Sequence, residues 1–149
     1  MKRLEFPPAG FYYEVYVDGR SGTVAAFQEV SGIEVSAEME TISEAGLNMY
    51  SHRVPKRTQY NNLVLKRGLC LSDSYLHEWV RSSLQSNFGE KIIPGTVYVS
   101  LMDSDGAEVM GWSFVNAYPV KWSVNGFNSM ESAIVVENIE FAYSYWTMY

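Results

Sequence analysis

Only one cysteine, Cys70, and two histidines, His52 and His77, occur among the 149 residues. A lone cysteine excludes an intramolecular disulfide framework and fits synthesis in a reducing compartment. Set between Leu69 and Leu71, it reads as a small buried residue rather than a reactive thiol. Neither histidine has a second histidine or cysteine at ligand spacing, so no zinc-type site is expected. Nucleophile-elbow, Walker and dinucleotide motifs are missing, and Gly19-Arg20-Ser21-Gly22 reads only as a turn. No apolar run approaches the ~20 residues that span a bilayer, and Met1 to Pro8 lacks the apolar core of a signal peptide. Bases are also in the minority, 11 against 17 acids for a net charge of −6, which disfavours phosphate tracking. The acids lie mostly on strand faces, without the apolar surroundings that raise a carboxyl pKa for acid catalysis. Together these absences exclude the common enzyme signatures and leave no expectation of a cofactor, a metal, a membrane anchor or specific nucleic-acid binding.

What is present is a chain built to order. Its hydrophobic fraction is 47% and its aromatic fraction 15%, enough apolar surface for a core, and its length suits a single domain over 1–149. Residues 1–9 read as an exposed arm, with Pro7 and Pro8 blocking regular structure. Phe11 to Val17 alternates with the period of a half-buried strand. A glycine-bearing turn at Asp18 to Gly22 leads to a second strand over Thr23 to Val30, and Ser31-Gly32 marks a break or bulge. Beyond it, Ile33, Val35, Ala37 and Met39 alternate with Glu34, Ser36, Glu38 and Glu40, giving one apolar and one acidic face.

Charge is segregated along this part of the chain. Glu29, Glu34, Glu38, Glu40 and Glu44 come with no base among them, and Arg53, Lys56, Arg57, Lys66 and Arg67 follow with no acid among them. Between the two sets, Thr41 to Gln59 shows no sustained period. A loop of that length tends to be functional, and Leu47, Met49, Tyr50 and Val54 need somewhere to go, so 41–59 is read as an extension ordered against a partner. Tyr60 to Lys66 returns to strand. One helix follows, with Ser72 as its cap, Asp73 in its first turn, Leu76, Trp79, Val80 and Leu84 on one stripe, and Asn87 or Gly89 at its end.

The second half is nearly all β. Thr96 to Met102 and Ala107 to Val115 flank a tight turn at Asp103 to Gly106. Asn116 to Pro119 interrupts, and Val120 to Val124 resumes as an edge-like segment. After Asn125-Gly126, Ser132 to Tyr145 predicts a strand of about fourteen residues, against the usual five or six. Val135, Glu137, Ile139, Phe141, Tyr143 and Tyr145 share one of its faces. The fold class is therefore mainly β (α+β), with one helix packed on a sheet. The overlong strand, the long extension and the segregated charges predict self-assembly.

Several of these segments, in order, resemble the tail-tube proteins of contractile phages and related extracellular contractile injection systems. They are Phe11-Tyr12-Tyr13-Glu14-Val15-Tyr16-Val17-Asp18-Gly19, Phe27-Gln28-Glu29-Val30-Ser31-Gly32-Ile33, Leu63-Val64-Leu65-Lys66-Arg67-Gly68 ahead of Leu76 and Trp79, and Asn116-Ala117-Tyr118-Pro119-Val120-Lys121-Trp122, with Glu137 on the last strand. The resemblance covers roughly residues 10–143. It implies a β-sandwich or barrel with one flanking helix and a long extended loop, and a structural, non-enzymatic subunit. Six such subunits would close a ring, and rings would stack into a tube around a lumen. Sheath, baseplate and other tube proteins would be its partners, with cargo in the lumen. It would be made in the cytoplasm and end in a virion or extracellular particle. Glu34, Glu38, Glu40, Glu44, Arg53, Lys56 and Arg57 are the expected inter-subunit contacts, with lining of the lumen as the other use of the acidic face.

Two departures from the family pattern, Glu44-Ala45-Gly46 for a Glu-Gly-Gly-like turn and Pro55-Lys56 for Pro-Gly, leave open a paralog that starts the tube on the baseplate. A secreted hexameric ring of a type VI-like system is a further reading. A monomeric ligand-binding β-barrel, as enzyme or carrier, is the rival from another class.

Overall fold

The computed structural model describes residues 10–18, 25–42, 52–68, 74–85, 92–126 and 135–149. The expected arm at 1–9, Cys70, Glu44, the helix caps Ser72 and Asp73, and Asn87 and Gly89 lie outside these residues. Ten strands and one helix run in the order β1 (Tyr12–Val17), β2 (Ala25–Phe27), β3 (Glu29–Ser31), β4 (Val35–Ile42), β5 (His52–Tyr60), β6 (Leu63–Gly68), α1 (Ser74–Leu84), β7 (Gly95–Met102), β8 (Glu108–Asn125), β9 (Val136–Ala142) and β10 (Tyr145–Met148).

The main sheet follows the path β2-β1-β7-β8-β9-β6-β3, with β10 also on β8, while β4 and β5 form a separate two-stranded sheet. Two strands turn the long path into a sandwich. β8 pairs with β7 through its first half and with β9 from Tyr118 to Asn125. At the other end, β2 pairs with β1 and β3 pairs with β6, with only Gln28 between them. The path ends at β2 and β3 without a ladder between them, so the sandwich expectation holds and the barrel alternative does not.

The longest strand is not the one expected. The final stretch divides into β9 and β10 at Tyr143-Ser144, whereas β8 runs unbroken for 18 residues through Asn116 and Pro119. Both supposed interrupters are accommodated. Asn116 takes a positive φ of 56°, a conformation to which asparagine is better suited than most residues. Pro119 sits beside the register shift between Pro119 and Lys121, where a ladder tolerates a missing donor.

The core lies between the two leaves. Val15, Val17, Phe27, Leu63, Leu65, Val97, Val99, Phe114, Ile139 and Phe141 are almost wholly buried there, as their strand phase requires. Helix α1 closes one side with Leu76, Trp79, Val80 and Ser83, positions that recur every three or four residues. Trp79 stacks at 5.5 Å on Phe141 and donates its indole N–H to the Ile93 carbonyl. Leu84, expected on this stripe, is 39% exposed, because Ser83 takes the inward position one residue earlier.

The most consequential packing is polar. Glu137 is completely buried and Arg67 is 5% exposed. Arg67 Nε donates to Glu137 Oε2 at 2.9 Å, while Trp122 Nε1 and His77 Nε2 approach Oε1 at 2.8 and 2.5 Å. Two neighbouring acceptor atoms therefore receive donors from β6, β8 and α1 at once. Arg67 also stands 4.5 Å over the Phe27 ring, a cation–π contact. Arg67 thus does not join the exposed basic set read from the sequence. It is buried because it faces an acid that β9 carries in its apolar phase.

Burial alone pushes the Glu137 carboxyl up, but the donors Trp122, His77 and Arg67 outweigh it and hold it below its ordinary 4.5. A depressed folded-state pKa contributes stability that is complete above about pH 4.5 and is lost as pH falls toward the folded value. The wild-type unfolding midpoint is therefore expected to drop on acidification below that point. Glu137→Gln, which removes the carboxylate charge from the buried pair with Arg67, is expected to cost about 3–5 kcal/mol at neutral pH and to flatten the acid limb. Denaturant melts across pH 3–7 read both, and an unchanged acid limb in the variant contradicts this account.

A second expectation concerns glycine. At Gly32 φ is +88° and an added Cβ would meet the Asn62 carbonyl oxygen at 1.9 Å, whereas at Gly106 φ is +85° with nothing within 4 Å. Gly32→Ala should lose roughly 2 kcal/mol or more, and Gly106→Ala only about 1 kcal/mol of backbone strain. Equal melting shifts for the two would refute the steric part of the argument.

Candidate assembly interface

The β4–β5 hairpin leaves the sandwich at a constructed root. Gly32, packed on Asn62, sends the chain outward, and Tyr60 returns it. The Tyr60 ring meets Tyr143 edge-on at 5.9 Å and Trp146 at 6.3 Å. Trp146 Nε1 donates to the Glu34 carbonyl at 3.4 Å, and Tyr143 Oη donates to the Asn61 carbonyl at 2.5 Å. Burial, with the neighbouring Tyr60 and Glu34, pushes the Tyr143 hydroxyl up to about 12, so it remains a protonated donor. The aromatic carboxyl-terminal stretch thereby grips both ends of the hairpin. This explains why Tyr143 and Trp146, unlike ordinary edge aromatics, point toward the body.

Beyond the root the two strands pair only with each other. Every residue of β4 except Glu38, and every residue of β5 except Tyr60, is exposed. Residues 41–42 and 52–59 are strand rather than loop, a correction to the reading of 41–59. The helix-like or loop-like absence of period in β5 arises because both of its faces meet solvent, so no alternation is imposed. Cross-strand pairs Val35↔Tyr60, Ala37↔Thr58, Met39↔Pro55 and Thr41↔Arg53 share one face, and Ser36↔Gln59, Glu38↔Arg57, Glu40↔Val54 and Ile42↔His52 the other. A register shift between Glu38 and Met39 leaves Lys56 as the extra residue beside Pro55.

The predicted contact residues fall on this arm in a specific arrangement. Glu34 is at the root, Glu38 and Glu40 are on β4, and Arg53, Lys56 and Arg57 are on β5. The charges are not held apart, because antiparallel pairing sets acids and bases side by side. Arg57 Nε bonds Glu38 Oε2 at 2.7 Å within the arm, with the arginine side chain 74% exposed, a surface pair of at most about 1 kcal/mol. Arg53, Lys56 and Glu40 form no ion pair among the described residues. Apolar groups are exposed on both faces, Val35 at 47% and Met39 at 41% on one, Ile42 at 47% and Val54 at 41% on the other. An isolated two-stranded ribbon is marginal in water, and this one exposes apolar side chains on both faces.

Among the described residues no three histidine, cysteine or acidic side chains converge as a metal set. Among the described residues, the acid–histidine pair of Glu137 with the part-buried His77 has its carboxylate oxygens committed to three donors. Glu137 was legible in the sequence only as an acid in the apolar phase of a strand, a signal that calls for a buried cation or donor.

Comparison with known proteins gives the same direction. No curated protein sequence matches the chain. Among solved structures, a chain of the anti-feeding prophage baseplate, 6-fold symmetrised, aligns at a TM-score of 0.77 and 19% identity, covering 100% of this chain and 97% of that one. A chain of an extracellular contractile injection system, the PVC sheath-tube complex in its extended state, aligns at 0.76 and 21% identity, covering 98% and 93%. Hcp1 from Flavobacterium johnsoniae aligns at 0.52 and 19% identity, covering 92% and 94%. At these identities the matches establish a shared fold. The profile of the T4-like virus tail tube protein gp19 family matches residues 9–147, nearly the entire sequence. The chain therefore belongs to the T4-like virus tail tube protein gp19 family, and its role is that of a tail tube subunit.

Proposed function

We propose that this subunit closes with five copies into a ring, and that rings stack into the inner tube of a contractile tail or injection particle. Its function is then mechanical. The tube carries cargo in its lumen and is driven through a target envelope, and no catalytic step is assigned to the chain. Sheath and baseplate proteins are its partners in the particle, after synthesis in the cytoplasm. The observation that carries this reading is the β4–β5 arm, a ribbon exposed on both faces with apolar side chains on each. Such a surface loses little by ordering, since its root is already fixed, and gains burial when it lies on a neighbour. Head-to-tail contacts that do not close make filaments, and lateral contacts that do close make rings. Glu34 and Glu40 are assigned to the polar rim of the arm's contact, and Arg53 and Lys56 are its basic contact residues. Glu38 and Arg57 serve first to hold the ribbon together.

Negative-stain electron microscopy with solution mass on one sample tests the reading. Rings of uniform diameter, alone or stacked, are the expected result for the wild type. Rings that never stack would favour the secreted hexameric ring, and assembly only on added baseplate would favour the tube-starting paralog. Val35→Glu with Met39→Glu is expected to block assembly while moving monomer stability by no more than about 0.5 kcal/mol, as at other exposed sites. Wild type that stays monomeric under all conditions, or a double variant that assembles normally, overturns the proposal.

A further inference from the structure

On the face of β1 and β7 turned away from the core, three tyrosine rings border an open pocket of about 400 Å³, lined by Glu14, Tyr16, Asp18, Tyr98, Ser100 and Tyr149. The pairing register builds two of its walls. Tyr16 is opposite Tyr98, with ring centroids 6.0 Å apart, and Glu14 is opposite Ser100. The third wall comes from the carboxyl terminus. Tyr149 exchanges backbone hydrogen bonds with Gly111, and its ring folds over that glycine, where an added Cβ would lie 2.4 Å from Cζ. This brings the Tyr149 ring to 6.5 Å from Tyr98 and its hydroxyl to 3.3 Å from Ser100 Oγ. Ser100 Oγ in turn donates to Glu108 Oε1 at 2.7 Å. Glycine at 111 is what lets the last residue become a wall.

The pocket's chemistry is one-sided. Its charged lining is Glu14 and Asp18, with Glu108 beyond Ser100, and among the described residues neither lining acid has an ion pair. Tyrosine faces attract a cation through the ring quadrupole, and nearby carboxylates add to that attraction. A sheet face that only met water would need neither the folded-back ring nor the glycine beneath it.

We propose that this tyrosine-walled pocket receives a basic side chain, Arg53 or Lys56, from the β4–β5 arm of a second copy of the chain. Both bases are on the exposed ribbon that leaves the sandwich, and neither has a counter-charge among the described residues of its own arm. Charge complementarity therefore selects a partner the chain itself supplies. This rests on the assembly reading above, and it moves the acid side of the contact from the β4 glutamates to Glu14 and Asp18.

Charge exchange tests it. Glu14→Lys with Asp18→Lys should raise the concentration needed for assembly by about tenfold or more, the scale of a desolvated cation–π contact. Combining that variant with Arg53→Glu and Lys56→Glu should restore assembly. Mixtures of Ser100→Cys chains with Arg53→Cys or with Lys56→Cys chains, each with Cys70→Ser, should form a mixed disulfide dimer under mild oxidation in at least one pairing, which reads proximity without relying on stability. Normal assembly by the lysine variant, no restoration by the exchange, or assemblies without the mixed dimer overturns the pocket assignment and leaves the tube reading standing. A wild-type chain that never assembles overturns both.

Discussion

A carboxylate with no access to water has to be answered by donors, and in this protein the answer comes from every direction. Glu137 is on β9, Arg67 on β6, Trp122 on β8 and His77 on α1. An unmatched charge there would cost several kcal/mol, so the four elements can pack together only in the one arrangement that satisfies it. Apolar packing between sandwich leaves is permissive about small slides, whereas this cluster is not. Its position also matters. It lies where β8 has just crossed from one leaf to the other, so it fixes the second half of the strand that joins the two leaves.

From that fixed point the arm can be understood. β9 leads through Tyr143 and Ser144 into β10, and the jog between them follows the turn of β8 at Asn116, where Asn116 Nδ2 reaches Ser144 Oγ at 3.3 Å. The same jog carries Tyr143 and Trp146 to the hairpin root, where they hold the Asn61 and Glu34 carbonyls. The orientation of an exposed ribbon is thus set by the register of buried strands. The root is held on both sides by aromatic donors, so the arm's direction is fixed by the subunit's own residues.

How much of this was legible in the sequence follows from how locally each feature is determined. The alternation of Val15 and Val17, of Leu63 and Leu65, and of Ile139 and Phe141 reports strands because one face of each is buried in the chain's own core. The stripe of Leu76, Trp79 and Val80 reports the helix for the same reason. β5 carries no such signal, since both of its faces are exposed. β8 was divided because asparagine and proline usually end strands, and only the crossing between leaves shows why this strand keeps both. Arg67 was grouped with exposed bases because its partner is 70 residues away in sequence. Only the phase of Glu137 hinted at that pairing. The tyrosine pocket was out of reach, because its third wall depends on the last residue folding onto a glycine of another strand.

The charge balance bears on how such a subunit could assemble without aggregating. With a net charge of −6, copies repel one another at a distance, and the repulsion is screened beyond roughly 8 Å at physiological salt. Three of the eleven bases, Arg53, Lys56 and Arg57, are on the arm, and one of them is already matched by Glu38. The acids of the same segment, Glu38, Glu40 and Glu44, equal its bases in number, so the net charge of −6 is carried by the rest of the chain. A ribbon with exposed apolar groups would be a hazard on a neutral protein, because any edge would serve as a partner. On an acidic body, like charge holds copies apart until a close contact forms. In the contact proposed above, apolar burial supplies the strength and charge supplies the selectivity, the division of labour that an ordered polymer of one chain needs.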